Sequence, residues 1–201
     1  GPLTSTFLPN VWYNVVVTRE GSSGNWNVKF YINGLFNINV AHSTNPILGT
    51  DDIYIGNENN NSSPGDEYFD GQISDIRIYN TAITADQVSD IYNYGTILGH
   101  EVAHYKMEKT MGTNLIDSSG NGYTGTLNGD PTYSDGPYDS SLVTENGAYV
   151  FGEKDSTVSV WLYTTYSDDK QVIFSNNGNE LLFEFGIDKM SHETTYKKLF
   201  L

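Results

Sequence analysis

The chain has 201 residues, 25 of them acidic against ten basic, and no cysteine. A net charge of −15 repels phosphate backbones and anionic bilayers, which counts against nucleic acid and membrane insertion and favours neutral glycans or divalent cations as partners. No stretch approaches the roughly eighteen apolar residues of a membrane helix, and without cysteine there are no disulfides and no thiolate metal sites.

Period-two alternation recurs along the chain, as expected where one face of each strand is buried. The stretches 11–18 and 25–32 read as strands, the second with Val28, Phe30 and Ile32 on one face, and Asn33-Gly34 supplies a tight hairpin turn into 35–40. A short strand at 51–58, a polar loop at 57–68 and a strand at 71–80 with Ile76 and Ile78 in phase come next. One helix is predicted over 84–94: Thr84 and Gln87 form a capping box, Val88, Ile91 and Tyr92 share a face, and Gly95 stops it. After it, Ala103, Tyr105 and Met107 alternate with His104, Lys106 and Glu108. A turn-rich region at 114–138 precedes strands at 156–166 and 171–187, the last folded as a hairpin at Asn176-Asn177-Gly178. About a dozen short strands and one short helix predict an all-β, antiparallel β-sandwich.

His100-Glu101-Val102-Ala103-His104 matches the zinc-protease pattern H-E-x-x-H. That chemistry needs both histidines on one helical turn, so that two imidazoles meet one metal. The alternation from Ala103 to Glu108 instead predicts a strand, which separates the histidines by about 13 Å. Thr110 also stands where the longer pattern needs a third histidine. The match reads as accidental, and the chain as noncatalytic.

Two segments carry a family resemblance. "YFDGQISDIRIYNTAITADQVSDIYNYG" (68–95) resembles the closing motif of laminin-G-like, concanavalin-A-like jelly-roll domains, in which a Phe-x-Gly turn leads into a core strand and a short helix. "WYNVVVTREGSSGNWNVKFYING" (12–34) is similar to that family's mid-domain hairpin, while 103–129 and 148–164 resemble its opening strands. The order is exchanged: the family's C-terminal half occupies 1–98 and its N-terminal half 103–201, across a connector at 96–102. Either a circular permutant or a slice through a tandem array gives this order. The resemblance implies one jelly-roll sandwich spanning 1–201, formed from both halves, with half-domain exchange between chains as an alternative.

The resemblance also implies a structural Ca²⁺, held by Asp117 and Asn121 of Asp117-Ser118-Ser119-Gly120-Asn121-Gly122 together with Asp66, Glu67 and Asp70. Calcium takes roughly six to eight oxygens. The plainer alternative is an Asx turn, in which Asp117 binds its own backbone.

Fifteen tyrosines and three tryptophans suit sugar binding, because an aromatic face packs against pyranose C–H groups. Trp12, Trp26, Trp161, Tyr31 and Tyr79 fall on predicted strands and read as packing residues. Tyr123, Tyr133 and Tyr138 fall in predicted loops and are the ligand-binding candidates. Glycosidases need two facing carboxyl groups; Glu180 and Glu184 come nearest, sharing one strand face.

The sequence therefore predicts a noncatalytic carbohydrate- or surface-ligand-binding adhesion module, calcium-stabilised, from a larger extracellular, cell-surface or virion protein. Two alternatives accompany it: a structural repeat that assembles by exchanging half-domains, and a polysaccharide-cleaving enzyme.

Overall fold

The computed structural model describes residues 7–22, 24–43, 53–60, 63–96, 98–108, 113–127, 132–138, 140–143, 156–165, 171–177, 181–189 and 197–200. The elements are β1 (Trp12–Ser22), β2 (Asn25–Ile32), β3 (Leu35–His42), β4 (Ile53–Ile55), β5 (Asn57–Asn60), β6 (Ser63–Tyr68), β7 (Gly71–Tyr79) and α1 (Ala85–Tyr94). They continue with β8 (Glu101–Tyr105), β9 (Asn114–Leu115), β10 (Gly125–Thr126), β11 (Tyr133–Asp135), β12 (Ser140–Val143), β13 (Ser156–Thr164), β14 (Gln171–Asn177), β15 (Leu181–Lys189) and β16 (Lys197–Phe200).

Eight strands form one antiparallel sheet, seven of them in the order β11-β12-β7-β13-β1-β2-β3 with β8 also paired to β7. β12 and β8 share one side of β7, the former opposite Gln72–Ile73 and the latter opposite Ile76–Tyr79. A second sheet runs β16-β15-β14-β4. Between them, Val15, Val17, Phe30, Ile73, Ile76, Ile78, Tyr105, Val158, Val160 and Leu162 meet Ile55 and Ile173 in one core. The architecture is an antiparallel jelly-roll β-sandwich with one short helix, as the alternation predicted. Each fully buried Val or Ile contributes roughly 1.5–3 kcal/mol relative to exposure.

Strands from the two halves of the chain are interleaved. β13 lies between β1 and β7, paired from Trp12↔Tyr163 to Arg19↔Ser156 on one side and from Thr157↔Tyr79 to Thr164↔Gly71 on the other. β4 likewise pairs with β14.

The Phe-x-Gly turn has a steric cause. Phe69 fills the core, and a Cβ at Gly71 would sit 2.1 Å from the Tyr163 carbonyl oxygen. At the hairpin, Asn33 and Gly34 have φ of 50° and 77°, as a primed turn requires. The polar loop predicted at 57–68 is instead a hairpin of β5 and β6, because neighbouring backbone can pair without any apolar alternation to announce it. In the turn-rich region, β9 pairs with β10 and β11 with β12; these strands are too short for a period to show.

Helix α1 lies on the outer face of the eight-stranded sheet and builds a second apolar cluster from Val88 and Ile91 with Val16, Tyr31, Tyr79 and Ile83. Its ends follow the sequence prediction. Thr84 N donates to Gln87 Oε1 (2.8 Å), Gln87 N donates to Thr84 Oγ1 (3.3 Å), and Gly95 closes the helix at φ 61°.

Candidate functional site

Strict alternation fails within β7. Ile73, Ile76 and Ile78 all face the main core, so one extra residue must be absorbed between the first two. The β7–β13 register shifts there, and Asp75 takes φ 47°, a left-handed conformation that Asp tolerates better than most residues. This bulge places Asp75 beside Arg77 on the outer side of the sheet.

Asp75 is buried at the centre of an ionic group. Its Oδ1 lies 2.7 Å from His104 Nε2 and accepts from Arg77 Nε at 3.2 Å, while Arg77 Nη2 stands 2.9 Å from Oδ2, an ion pair outside hydrogen-bond alignment. The same guanidinium donates through Nη1 to Thr96 O (2.5 Å) and through Nη2 to Gly95 O (3.1 Å), tying the end of α1 to the sheet. Burial alone would push the Asp75 carboxyl up, but the His104 hydrogen bond and the Arg77 charge outweigh it and hold the carboxyl below its usual range. Burial likewise opposes the Arg77 charge, and Asp75 more than compensates. Nearby, Tyr79 Oη donates to Glu101 Oε1 (3.3 Å), and burial pushes this phenol up.

The H-E-x-x-H match spans the start of β8 and not a helix. Glu101–Tyr105 is β8, His100 is exposed just before it, and His104 is buried against Asp75. Ala103, Tyr105 and Met107 face the core, in the predicted phase.

The other side of His104 is held by Asp117. Asp117 Oδ1 accepts from His104 N (2.9 Å) and Ser119 N (2.9 Å), and Oδ2 accepts from Ser119 Oγ (2.8 Å) and Tyr123 N (3.0 Å). Burial pushes the carboxyl up, and these donors outweigh it and bring it below the usual range. Asn121 donates through Nδ2 to Glu101 O (2.9 Å) and Val102 O (3.0 Å), lacing the same loop to β8. Four donors occupy the Asp117 carboxylate, so the loop is built as an Asx turn and Asp117 does not fit a calcium ligand. Asp70 is exposed at the turn into β7, and Asp66 and Glu67 have side chains outside the described residues. Among the described residues no three His, Cys, Asp or Glu converge as a metal shell.

The three candidate tyrosines occupy separate places. Tyr123 is exposed, and its carbonyl accepts from Tyr105 Oη at 2.6 Å. Tyr133 starts β11 instead of lying in a loop, and its ring packs on the main core. Tyr138 is half-exposed and donates to Ile91 O at 2.9 Å, its ring edge-on to Trp161 with centroids 5.5 Å apart. Tyr138 joins a larger aromatic group.

That group runs along the outer faces of β1 and β13. Tyr92 of α1 stacks on Trp161 at 5.6 Å and 21°, with Tyr138 on the other edge of the same indole. Two residues further along β13, Tyr163 faces its cross-strand partner Trp12 at 5.5 Å, and both rings are half-buried. Asn10 Oδ1 accepts from Tyr163 Oη at 3.3 Å. These five rings lie outside the main core and beside the apolar cluster under α1. Trp161 is buried beneath Tyr92 and Tyr138 and packs as the sequence suggested, whereas Trp12 is half-buried and Tyr163 beside it was passed over. The signal was present: Trp161-x-Tyr163 puts two rings on one strand face. Glu180 and the side chain of Glu184 lie outside the described residues; the backbone of Glu184 is on β15, opposite Ser175.

In comparisons with known proteins, the family model for the laminin-G type of concanavalin A-like lectin/glucanases superfamily matches residues 2–89. No curated protein and no solved structure matches the chain. Among the described residues no helix is long and apolar enough to cross a membrane.

Proposed function

We propose that the chain is a noncatalytic carbohydrate- or surface-ligand-binding adhesion module, working outside the cell or on a virion, and that its ligand lies on the ledge Trp12–Tyr163, with Tyr92 and Tyr138 beside it over the buried Trp161. The observation that carries this reading is the placement of the half-buried rings of Trp12 and Tyr163 on the outer sheet face, away from the main core and beside Asn10 and Gln72, with Tyr92 and the half-exposed Tyr138 next to them over the buried Trp161. Such rings offer flat apolar faces to sugar C–H groups, and neighbouring amides offer hydrogen bonds to hydroxyls. The net charge of −15 favours uncharged ligands. The superfamily match over 2–89 agrees with carbohydrate binding or adhesion as the class. Calcium enters this proposal only through the segment 66–70, because Asp117 is already committed to donors of its own chain.

The test is a neutral-glycan panel read by tryptophan fluorescence, followed by Trp12→Ala on whichever ligand binds. The expected loss is about threefold to tenfold in affinity, from a stacking contribution of roughly 0.5–1.5 kcal/mol, measured well below a melting midpoint that falls because Tyr163 loses its cross-strand partner. Silence across the panel, or full binding by the variant, rejects the ledge.

A second reading rests on the insertion of β13 between β1 and β7. An exchanged order of the two halves, permuted or cut from an array, would let those pairings form between neighbouring chains instead of within one. Assembly would then proceed by half-domain exchange.

A further inference from the structure

The alternation of β7 continues one turn beyond its first residue. Phe69 and Ile73 lie in the main core, and a Cβ at Gly71 would stand 2.9 Å from the Phe69 ring. Asp70 and Gln72 therefore belong to the opposite, outer face, which also carries the aromatic ledge. Gln72 is directly opposite Tyr163. Asp70 is opposite Thr165, whose N–H and Oγ1 both donate to the Asp70 carbonyl at 3.0 Å. These two bonds fix the Asp70 backbone, and Tyr163 is its diagonal neighbour across the ladder, at roughly 7–8 Å.

The Asp70 side chain is exposed, and among the described residues no cation pairs with it. Two cations of the outer face are committed elsewhere: Arg77 to Asp75 and to the carbonyls of Gly95 and Thr96, and Lys29 to Glu20. Lys29 is also remote, since it pairs with Thr18, six residues along β1 from Trp12 or about 20 Å. A carboxylate without a counter-charge thus borders the half-buried rings of Trp12 and Tyr163, whose planes are inclined at 49°. Ring faces attract cations through their quadrupoles. The carboxylate acts in the same direction, and so does the net charge of −15. That net charge disfavours acidic glycans without separating neutral from basic ones; Asp70 beside the ledge separates them.

We propose that the ledge prefers a glycan with free amino groups, one sugar ring lying against Trp12 or Tyr163 and its ammonium facing Asp70. The ligand class is an amino sugar in an all-equatorial chain. Such a pyranose presents flat C–H faces for stacking and holds its amine at the ring edge, where a carboxylate beside the ring plane meets it. This inference rests on the ledge being the ligand site.

The test is calorimetry at about pH 6, where such an amine is protonated, with a chelator present so that no metal takes part. Tetramers of chitosan, chitin and cellulose share one linkage and differ in the substituent at the second ring carbon, which is an amine, an acetamide or a hydroxyl. Each is titrated into wild type, Asp70→Asn and Trp12→Ala. Asp70 is exposed, so its substitution leaves the core intact, and the melting midpoint checks this. The wild type is expected to bind the chitosan tetramer about threefold to tenfold more tightly than the other two. Added salt should narrow that preference, Asp70→Asn should abolish it, and Trp12→Ala should weaken all three ligands. Equal affinities in the wild type, or a preference that survives Asp70→Asn, overturn the inference, and the ledge still stands if Trp12→Ala weakens binding. Affinities indifferent to Trp12→Ala remove the ledge and this inference with it. Binding of none of the three tetramers also overturns the inference.

Discussion

Two aspartates hold the same histidine by different means. Asp75 takes the His104 ring from a buried bulge and is matched by a guanidinium; Asp117 takes the His104 backbone N–H from a partly exposed turn and is matched by peptide and hydroxyl donors. The first arrangement depends on a counter-charge in a place water does not reach, so losing either partner strands the other. The second depends on hydrogen bonds that water can partly replace. A carboxylate's neighbours thus decide whether it acts as one half of an ion pair or as a turn anchor, although the residue type is the same.

Breaking the first arrangement should have the largest effect. Asp75→Asn keeps the shape and tolerates the left-handed backbone but removes the charge that compensates Arg77. It is expected to lower stability by about 3 kcal/mol, measured by urea denaturation. A loss below about 1 kcal/mol would show that the ion pair contributes little.

Acid sharpens the comparison. Both carboxyls have folded pKa values below their unfolded ones. Their contribution to stability is therefore complete above the unfolded value, about pH 3.9, and is lost as pH falls through the folded value. Urea midpoints collected downward from about pH 5 should fall less steeply in Asp75→Asn than in wild type. Asp117→Asn should flatten the curve less, since its carboxyl is partly solvated. Identical curves for all three proteins would refute the assignment.

The smallest effect concerns calcium. Asp117→Ala should cost roughly 1–2 kcal/mol through its orphaned backbone donors, yet leave the melting response to millimolar calcium the same as in wild type. A calcium-induced rise that disappears in Asp117→Ala would show that the ion displaces the turn's own donors.

Much of the local structure was legible in the residues. The capping box Thr84–Gln87, the stop at Gly95 and the turn Asn33-Gly34 were readable because each is a contact between near neighbours. The alternation Ala103–Tyr105–Met107 identified the strand on which the second histidine of the H-E-x-x-H match lies. The bulge was half-legible, since Ile73 and Ile76 stand three apart where alternation needs two or four. The ledge was missed because tryptophan on a strand packs either way, and only the position of α1 and β13 settles which rings remain outside the core. The sequence left Asp117 open between a calcium ligand and an Asx turn, because an oxygen-rich loop has the same composition whether its oxygens bind a cation or its own amides, and only the tertiary contacts display the turn.

The sequence by itself determined the longer alternating strands, the helix and its ends, and the sandwich class, because these follow from periodicity and turn chemistry within a few residues. The tertiary structure alone decided that Asp75 would be buried against His104 and Arg77, that β13 would lie between β1 and β7, and that β3 would end the sheet. Those outcomes depend on which distant strands share a ladder, and backbone hydrogen bonds are the same for every candidate neighbour. The choice among neighbours is made by the packing of side chains brought together from both ends of the chain.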